Sequence, residues 1–226
     1  MQTVQHKAQK LEAKKAANGS LTAIETRSLG EAYFFRALYH WAIASRHGLG
    51  TLGVPFKPWE EDEGGYNNQI PPQLESVVDN YMYIIADLKK AEEMLDEEND
   101  YFDAAYFTNA SAHAIHARVA LYMQDWPAAI EHSTVLIDSD AFELASAKAY
   151  VTNTQTYLNY LWTNDTSYEN IWRIGYTATS YGGAQGSIFL NFTTDYTYYY
   201  PDYVPAQWVL DLYTSGDARY NAYFAT

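Results

Sequence analysis

A mostly α protein is expected from this chain, on three observations. Apolar residues recur at helical spacing through the first half of the sequence, an Asn-Gly stop, separate Gly and Pro residues and acidic runs punctuate them, and small residues sit where neighbouring helices must approach. Beyond Tyr150 that periodicity is lost in Asn, Thr, Gly and Ser, and eleven of the 22 tyrosines lie between Tyr150 and Tyr203. The expected architecture is helix pairs forming a scaffold over residues 1–148, then a tyrosine-rich loop region with short strands over 149–226 that ends in a helix. At 226 residues and 48% hydrophobic content, the two parts suit one domain or a piece of a larger one.

The first helix is a Lys-rich segment from about Thr3 to Ala17, stopped by Asn18-Gly19. Its Lys7, Lys10, Lys14 and Lys15 form the only basic cluster of the sequence and read as a solvated face. The second helix runs from about Ala23 to His47. Phe34, Ala37, Leu38, Trp41, Ala42 and Ser45 share one of its faces, while Tyr33, Tyr39, Ile43 and Ala44 carry apolar surface round most of the rest. A helix apolar nearly all round has to be covered on several sides, inside an array of helices. His47-Gly48 and Val54-Pro55 end it. After an acidic, Gly-rich loop from Glu60 to Gln69 and Pro71-Pro72, the residues Val77, Val78, Tyr81, Ile84, Ile85, Leu88, Ala91 and Leu95 fall on one stripe, closed by Asp96 to Asp100. Asn109 to Met123 and Pro127 to Asp138 make the next pair, with Asp125 as a cap and Pro127 in the first turn. Ile171 to Tyr176 reads as a short strand and Tyr181 to Gly186 as a flexible turn.

Charge and composition exclude several functions. A formal net charge of −14 without a basic patch argues against nucleic acid or an anionic membrane surface as partner. With no cysteine there is neither a disulfide framework nor a thiol nucleophile, and no apolar run reaches membrane-spanning length. The acidic runs Glu60-Glu61-Asp62-Glu63 and Asp96-Glu97-Glu98 lie beside turns and read as solvated; paired glycosidase acids need a fixed separation across a cleft, which adjacency does not supply. His113 and His116, three apart on a helix, could both touch a metal, but no third ligand is spaced to join them, so an ordinary helix role is expected and no metal. Gly182, Gly183 and Gly186 are followed by no Lys-Ser/Thr and make no phosphate loop. No cofactor and no catalysis are expected.

What the composition does favour is a ligand surface. The run Tyr196-Thr197-Tyr198-Tyr199-Tyr200-Pro201-Asp202-Tyr203 is the densest aromatic stretch of the chain. Buried tyrosines need partners for their hydroxyls, so a polar loop this rich in them suits a partly exposed platform. Sugar rings offer apolar C–H faces edged with hydroxyls; flat aromatic rings stack on the faces while Asn, Asp and backbone groups take the edges. The plainer alternative is that these tyrosines pack loops onto the scaffold.

Several segments carry a resemblance. Gly30-Glu31-Ala32-Tyr33-Phe34-Phe35-Arg36-Ala37-Leu38, then His47-Gly48 and Val54-Pro55, resembles the Gly-Glu-Ala-x-Phe-x-Arg-Ala-Leu helix, aromatic-Gly turn and Val-Pro of the SusD/RagB outer-membrane nutrient-binding lipoproteins. In the same order follow Ala117-Arg118-Val119-Ala120-Leu121-Tyr122, Glu169-Asn170-Ile171-Trp172, and Leu212-Tyr213 with Gly216-Asp217-Ala218-Arg219, which are similar to that family's Ala-Arg-x-x-Leu-Tyr, Glu-x-Ile-x and Leu-Tyr-x-x-x-Asp-x-Arg segments. The junction Gln124 to Ile130, with Ala117, Ala120 and Ala129, also resembles the turn of a tetratricopeptide (TPR) repeat, so that residues 23–95 and 109–138 look like two TPR-like helix pairs.

The resemblance implies an all-α, TPR-like scaffold within a single SusD-like domain of which 1–226 is an internal fragment. It implies a non-catalytic lipoprotein of polysaccharide utilisation and nutrient uptake, surface-exposed at the cell outer membrane, that binds a glycan ligand and delivers it to a SusC-like TonB-dependent transporter. Its membrane contact would run only through a lipid anchor, and this sequence carries no signal peptide or anchor cysteine. In the starch-binding founder a tyrosine of a Tyr-Gly-Gly turn after the Glu-x-Ile strand contacts glucan, and Tyr181-Gly182-Gly183 holds that place; the founder's downstream tryptophan falls near Tyr199. The ligand-binding residues expected are Tyr181, Gly182, Tyr198, Tyr199, Tyr200 and Tyr203. Peptide capture, as in the RagB branch, or a TPR-type protein-interaction scaffold are the alternatives; an all-α toroid glycosidase needs more helices than 226 residues hold.

Overall fold

A computed structural model describes residues 2–48, 50–56, 74, 76–95, 107–144, 160–161, 169–173, 179, 190–192, 199–201 and 203–224. Its elements are α1 (Gln2–Asn18), α2 (Ala23–His47), α3 (Val77–Met94), α4 (Asn109–Met123), α5 (Trp126–Asp138), β1 (Leu190–Phe192), β2 (Tyr199–Pro201), α6 (Gln207–Leu210) and α7 (Ala218–Phe224). They divide into two compact units, Met1–Phe142 and Glu143–Thr226. The acidic loop 60–69, Pro71-Pro72, and 96–100 lie outside the described residues.

Local chemistry sets the helix ends of the first unit. α1 stops where Gly19 takes φ +73°, its N–H donating to Lys15 O at 2.8 Å. At the head of α2 Thr22 and Glu25 cap reciprocally: Glu25 N–H donates to Thr22 Oγ1 at 3.4 Å and Thr22 N–H to Glu25 Oε2 at 3.1 Å. Ser76 with Asp79 does the same for α3, and Thr108 with Ser111 for α4. Between α4 and α5 the chain doubles back over Gln124, in the left-handed region at φ 60°, and Asp125, whose Oδ1 accepts the Ala128 N–H at 3.2 Å.

α2 is packed by α1, α3 and α4, α3 by α4, and α4 by α5. Leu29, Phe34, Ile84, Leu88, Ala112 and Val119 are fully buried where these helices meet; burial of such a large apolar side chain contributes ~1.5–3 kcal/mol. A Cβ on Gly30 would stand 2.9 Å from Met94 Cβ, so the glycine lets α2 pass the end of α3. The covering of α2 is less complete than its composition implies: Tyr39 and Ile43 remain exposed, and Trp41 meets Tyr122 of α4 edge-on at 5.5 Å, with the Arg118 guanidinium 5.9 Å from its ring centroid.

Two buried polar contacts fix α2 and the segment after it to α3. Arg36 donates to Asp87 twice, Nε to Oδ2 and Nη2 to Oδ1, both at 2.7 Å, with the side chains 9% and 4% exposed. Asn80, fully buried, accepts the Val54 N–H at 2.8 Å and donates its amide to Val54 O at 3.0 Å.

His40 of α2 packs against Phe56, ring centroids 4.5 Å apart, and its Nδ1–H donates to Arg36 O at 2.8 Å. Burial pushes the imidazole below its ordinary value; the bond to Arg36 O opposes this and the Arg36 charge adds to it. The unfolded chain therefore binds the proton more tightly, so this contribution to stability is complete above the unfolded pKa near 6.5 and is lost as pH falls below it. Urea midpoints measured from pH 8 to pH 5 should fall on the acid side, and His40→Gln should flatten part of that slope.

In the second unit β1 and β2 pair antiparallel, Leu190 with Pro201, Asn191 with Tyr200 and Phe192 with Tyr199. A strand expected over 171–176 is not found in its described part: Ile171, Trp172 and Arg173 form bend and coil, and 174–176 lie outside the described residues. Toward the C-terminus Gly216 takes φ +92°. Asp217 then accepts from the Arg219 backbone N–H and Nε, each at 3.0 Å, and Nη2 at 2.7 Å, ahead of α7. Arg219 holds the Asp217 carboxyl below its usual range, and its guanidinium lies 5.7 Å from the Tyr213 ring centroid. No described helix is long and apolar enough to cross a membrane.

Candidate functional site

The residues singled out as ligand contacts fall unevenly on the structure. Tyr181, Gly182 and Tyr198 lie outside the described residues. Tyr199 and Tyr200 are consecutive on β2, in register with Phe192 and Asn191 of β1 respectively. Tyr203, just beyond β2, is 80% exposed.

Sequence reasoning stopped at Tyr203, and the exposed surface does not. Val204, Trp208 and Leu212 are 71%, 67% and 71% exposed. Their closeness in sequence to Tyr203 makes 203–212 a candidate contact segment. Trp208 was legible in the sequence as a lone tryptophan on a short helix beside the tyrosine run.

The motif residues shared by the N-terminal unit serve the scaffold instead. Gly30 supplies the close approach to α3, Arg36 the buried ion pair, and Val54 the bonds to Asn80. A groove of about 470 Å³ lies between α1 and α2, but its lining sets Lys7 and Lys10 against Glu25 and Glu31 and presents no net charge to a ligand. The acidic runs at 60–63 and 96–98 are outside the described residues.

The histidines differ from expectation. His113 and His116 of α4 are joined by His132 of α5 and Glu92 of α3, all half-buried or buried. The His113 and His132 Nδ1 atoms are 2.7 Å apart, and His116 Nδ1 lies 2.7 Å from Glu92 Oε1. Third and fourth polar groups are thus supplied, from helices remote in sequence. The signal available was that His132 shares the inward face of α5 with Ala129, three residues earlier, and that Glu92 directly follows the buried Ala91.

No family model and no curated protein matches the sequence. Solved structures do. A surface glycan-binding protein A from Bacteroides fluxus superposes with a TM-score of 0.63 at 22% identity, covering 97% of this chain and 47% of its own. A SusD superfamily protein from Bacteroides thetaiotaomicron gives 0.60 at 21%, covering 82% and 39%, and a SusD-like protein from Bacteroides fragilis 0.57 at 23%, covering 76% and 31%. The chain therefore has the mostly helical fold of SusD-like proteins and spans about a third to a half of the length of those structures.

Proposed function

We propose that this SusD-like chain is part of a non-catalytic glycan-capture protein on the outer membrane surface, which binds oligosaccharide or polysaccharide and passes it to a SusC-like TonB-dependent transporter. The observation that carries the reading is the combination of this fold with exposed aromatic side chains, Tyr203 and Trp208, in the segment that follows β2 and its Tyr199 and Tyr200. Structures of similar fold include surface glycan-binding proteins. Rings at Tyr181, Tyr198, Tyr199, Tyr200 and Tyr203 would stack on sugar faces, with Gly182 allowing the ligand close to the backbone. The helix pairs, of TPR-like type, would carry no ligand themselves.

The test is calorimetric titration of the chain with the oligosaccharide it retains best, beside Tyr181→Ala and Tyr203→Ala. Loss of one stacked ring is expected to weaken binding roughly tenfold, about 1.4 kcal/mol. Unchanged affinity in both variants would move the site away from the tyrosine run.

A second reading has one observation of its own. Trp126, Ile130 and Ile137 of α5 are 56%, 66% and 73% exposed and lie at helical spacing. Such a stripe suits an apolar peptide or protein partner, and binding there would be indifferent to the tyrosine substitutions.

A further inference from the structure

The glycan reading makes no use of the four polar side chains gathered between α3, α4 and α5. We infer that Glu92, His113 and His132 bind a divalent transition-metal cation, Zn2+ foremost, with His116 holding the Glu92 carboxylate in place, so that one ion clips three helices of the scaffold together.

The geometry is that of a cation site. One ligand atom from each of Glu92, His113 and His132 falls within a mutual separation of 4.8 Å. The edges of the triangle are 2.7 Å between His113 and His132 Nδ1, 3.7 Å from His113 Nδ1 to Glu92 Oε1, and 3.6 Å from His132 Nδ1 to Glu92 Oε1. Ligands about 2.0–2.1 Å from a tetrahedral Zn2+ stand roughly 3.4 Å from one another, and the observed edges lie on both sides of that spacing. A shift of a few tenths of an ångström in two imidazoles, both at helix surfaces that already touch, closes the difference.

The donor types select the ion. Two imidazole nitrogens and one carboxylate oxygen suit Zn2+, Co2+, Ni2+ or Cu2+, whereas Ca2+ and Mg2+ take oxygen ligands. Two neutral imidazoles and a carboxylate carry a single negative charge, and the dication more than offsets it. His116, 3% exposed at its side chain, places Nδ1 2.7 Å from the same Glu92 oxygen and stacks on His132 with centroids 3.6 Å apart. That contact orients the carboxylate as an outer partner orients a metal ligand. Three protein ligands leave a fourth position for water.

A hydrogen-bonded set with no ion would also account for short contacts, since one of two facing Nδ1 atoms can carry a proton toward the other. The two arrangements differ in what they take up. The full chain, produced without a histidine tag and stripped with a chelator, is titrated with Zn2+ by competition against a chromophoric chelator. Uptake of one ion per chain with a Kd in the micromolar range or tighter is expected, with no response to Mg2+ or Ca2+. Co2+ should give the intense visible absorption of a tetrahedral site. Saturating Zn2+ should raise the melting temperature by several degrees.

His132→Asn should weaken uptake at least a hundredfold and His116→Gln about 10- to 100-fold, while His40→Gln leaves it unchanged. Folded wild-type chain that takes up no stoichiometric Zn2+, or Zn2+ uptake that His132→Asn does not alter, would overturn the site. Should a variant fail to fold, the wild-type titration still decides, since folded chain that takes up neither Zn2+ nor Co2+ stoichiometrically overturns the site.

Discussion

Asp87→Ala should cost the helical unit about 3–5 kcal/mol, read as a fall in the urea midpoint of the far-ultraviolet helix signal. The carboxylate is 4% exposed and meets the Arg36 guanidinium through two hydrogen bonds of 2.7 Å. Removing it leaves a guanidinium in place beside Tyr33 and Phe56, 5.5 and 5.2 Å from their ring centroids, without the carboxylate that offset its desolvation. The pair itself is worth much less than the cost of breaking it, because both charges were taken out of water to form it. Arg36→Met combined with Asp87→Leu should therefore recover most of the loss. If the double variant is as unstable as Asp87→Ala, the pair is holding the helices by geometry that an apolar contact cannot replace.

Asn80→Ala is expected to be the next most severe, at about 3 kcal/mol, since each backbone group left unsatisfied in the interior costs ~1–3 kcal/mol. The Asn80 amide satisfies both the N–H and the C=O of Val54, which is itself 5% exposed. The segment is tight beside it: a Cβ on Gly53 would lie 2.5 Å from Ser76 O. Asn80→Asp should be nearly as costly, because a carboxylate accepts from Val54 N–H but cannot donate to Val54 O. Amide exchange at Val54 is the sharper readout: it should quicken in Asn80→Ala before global stability is lost, and less in Asn80→Asp, which keeps an acceptor for that N–H.

The helices were legible because their information is local. Asn18-Gly19 and Asp125 with Pro127 each place a boundary from within one turn, and of the α3 stripe Tyr81, Ile84, Leu88, Ala91 and Leu95 are buried, Val77 and Ile85 partly so, while Val78, near the start of the helix, is exposed. The short ladder was not legible, since Leu190–Phe192 and Tyr199–Pro201 are three residues each and the tyrosine run offers no alternation to set a register. Ile171 looked more like a strand and is not one; its neighbours Glu169 and Asn170 lie in turn and coil.

Polar groups that meet across helices are the other kind of miss. Asp87 sits on the buried stripe of α3 between Ile84 and Leu88, and Glu92 follows Ala91; each reads as a surface acid on an amphipathic helix until Arg36, or the three histidines, are placed opposite. Sequence spacing constrains pairs on one helix, such as His113 and His116, and says nothing of a partner on another. Three of the six residues named for ligand contact, Tyr181, Gly182 and Tyr198, fall outside the described residues, and Tyr203 is the one whose exposure bears directly on the proposal.

Affinity electrophoresis of the chain through gels cast with different soluble polysaccharides, with reducing ends assayed after prolonged incubation, tests the central proposal most directly. Retardation by one class of glycan with no release of reducing sugar is the predicted result. Migration unaffected by every glycan, or retardation accompanied by steady release of reducing ends, would contradict a non-catalytic capture protein.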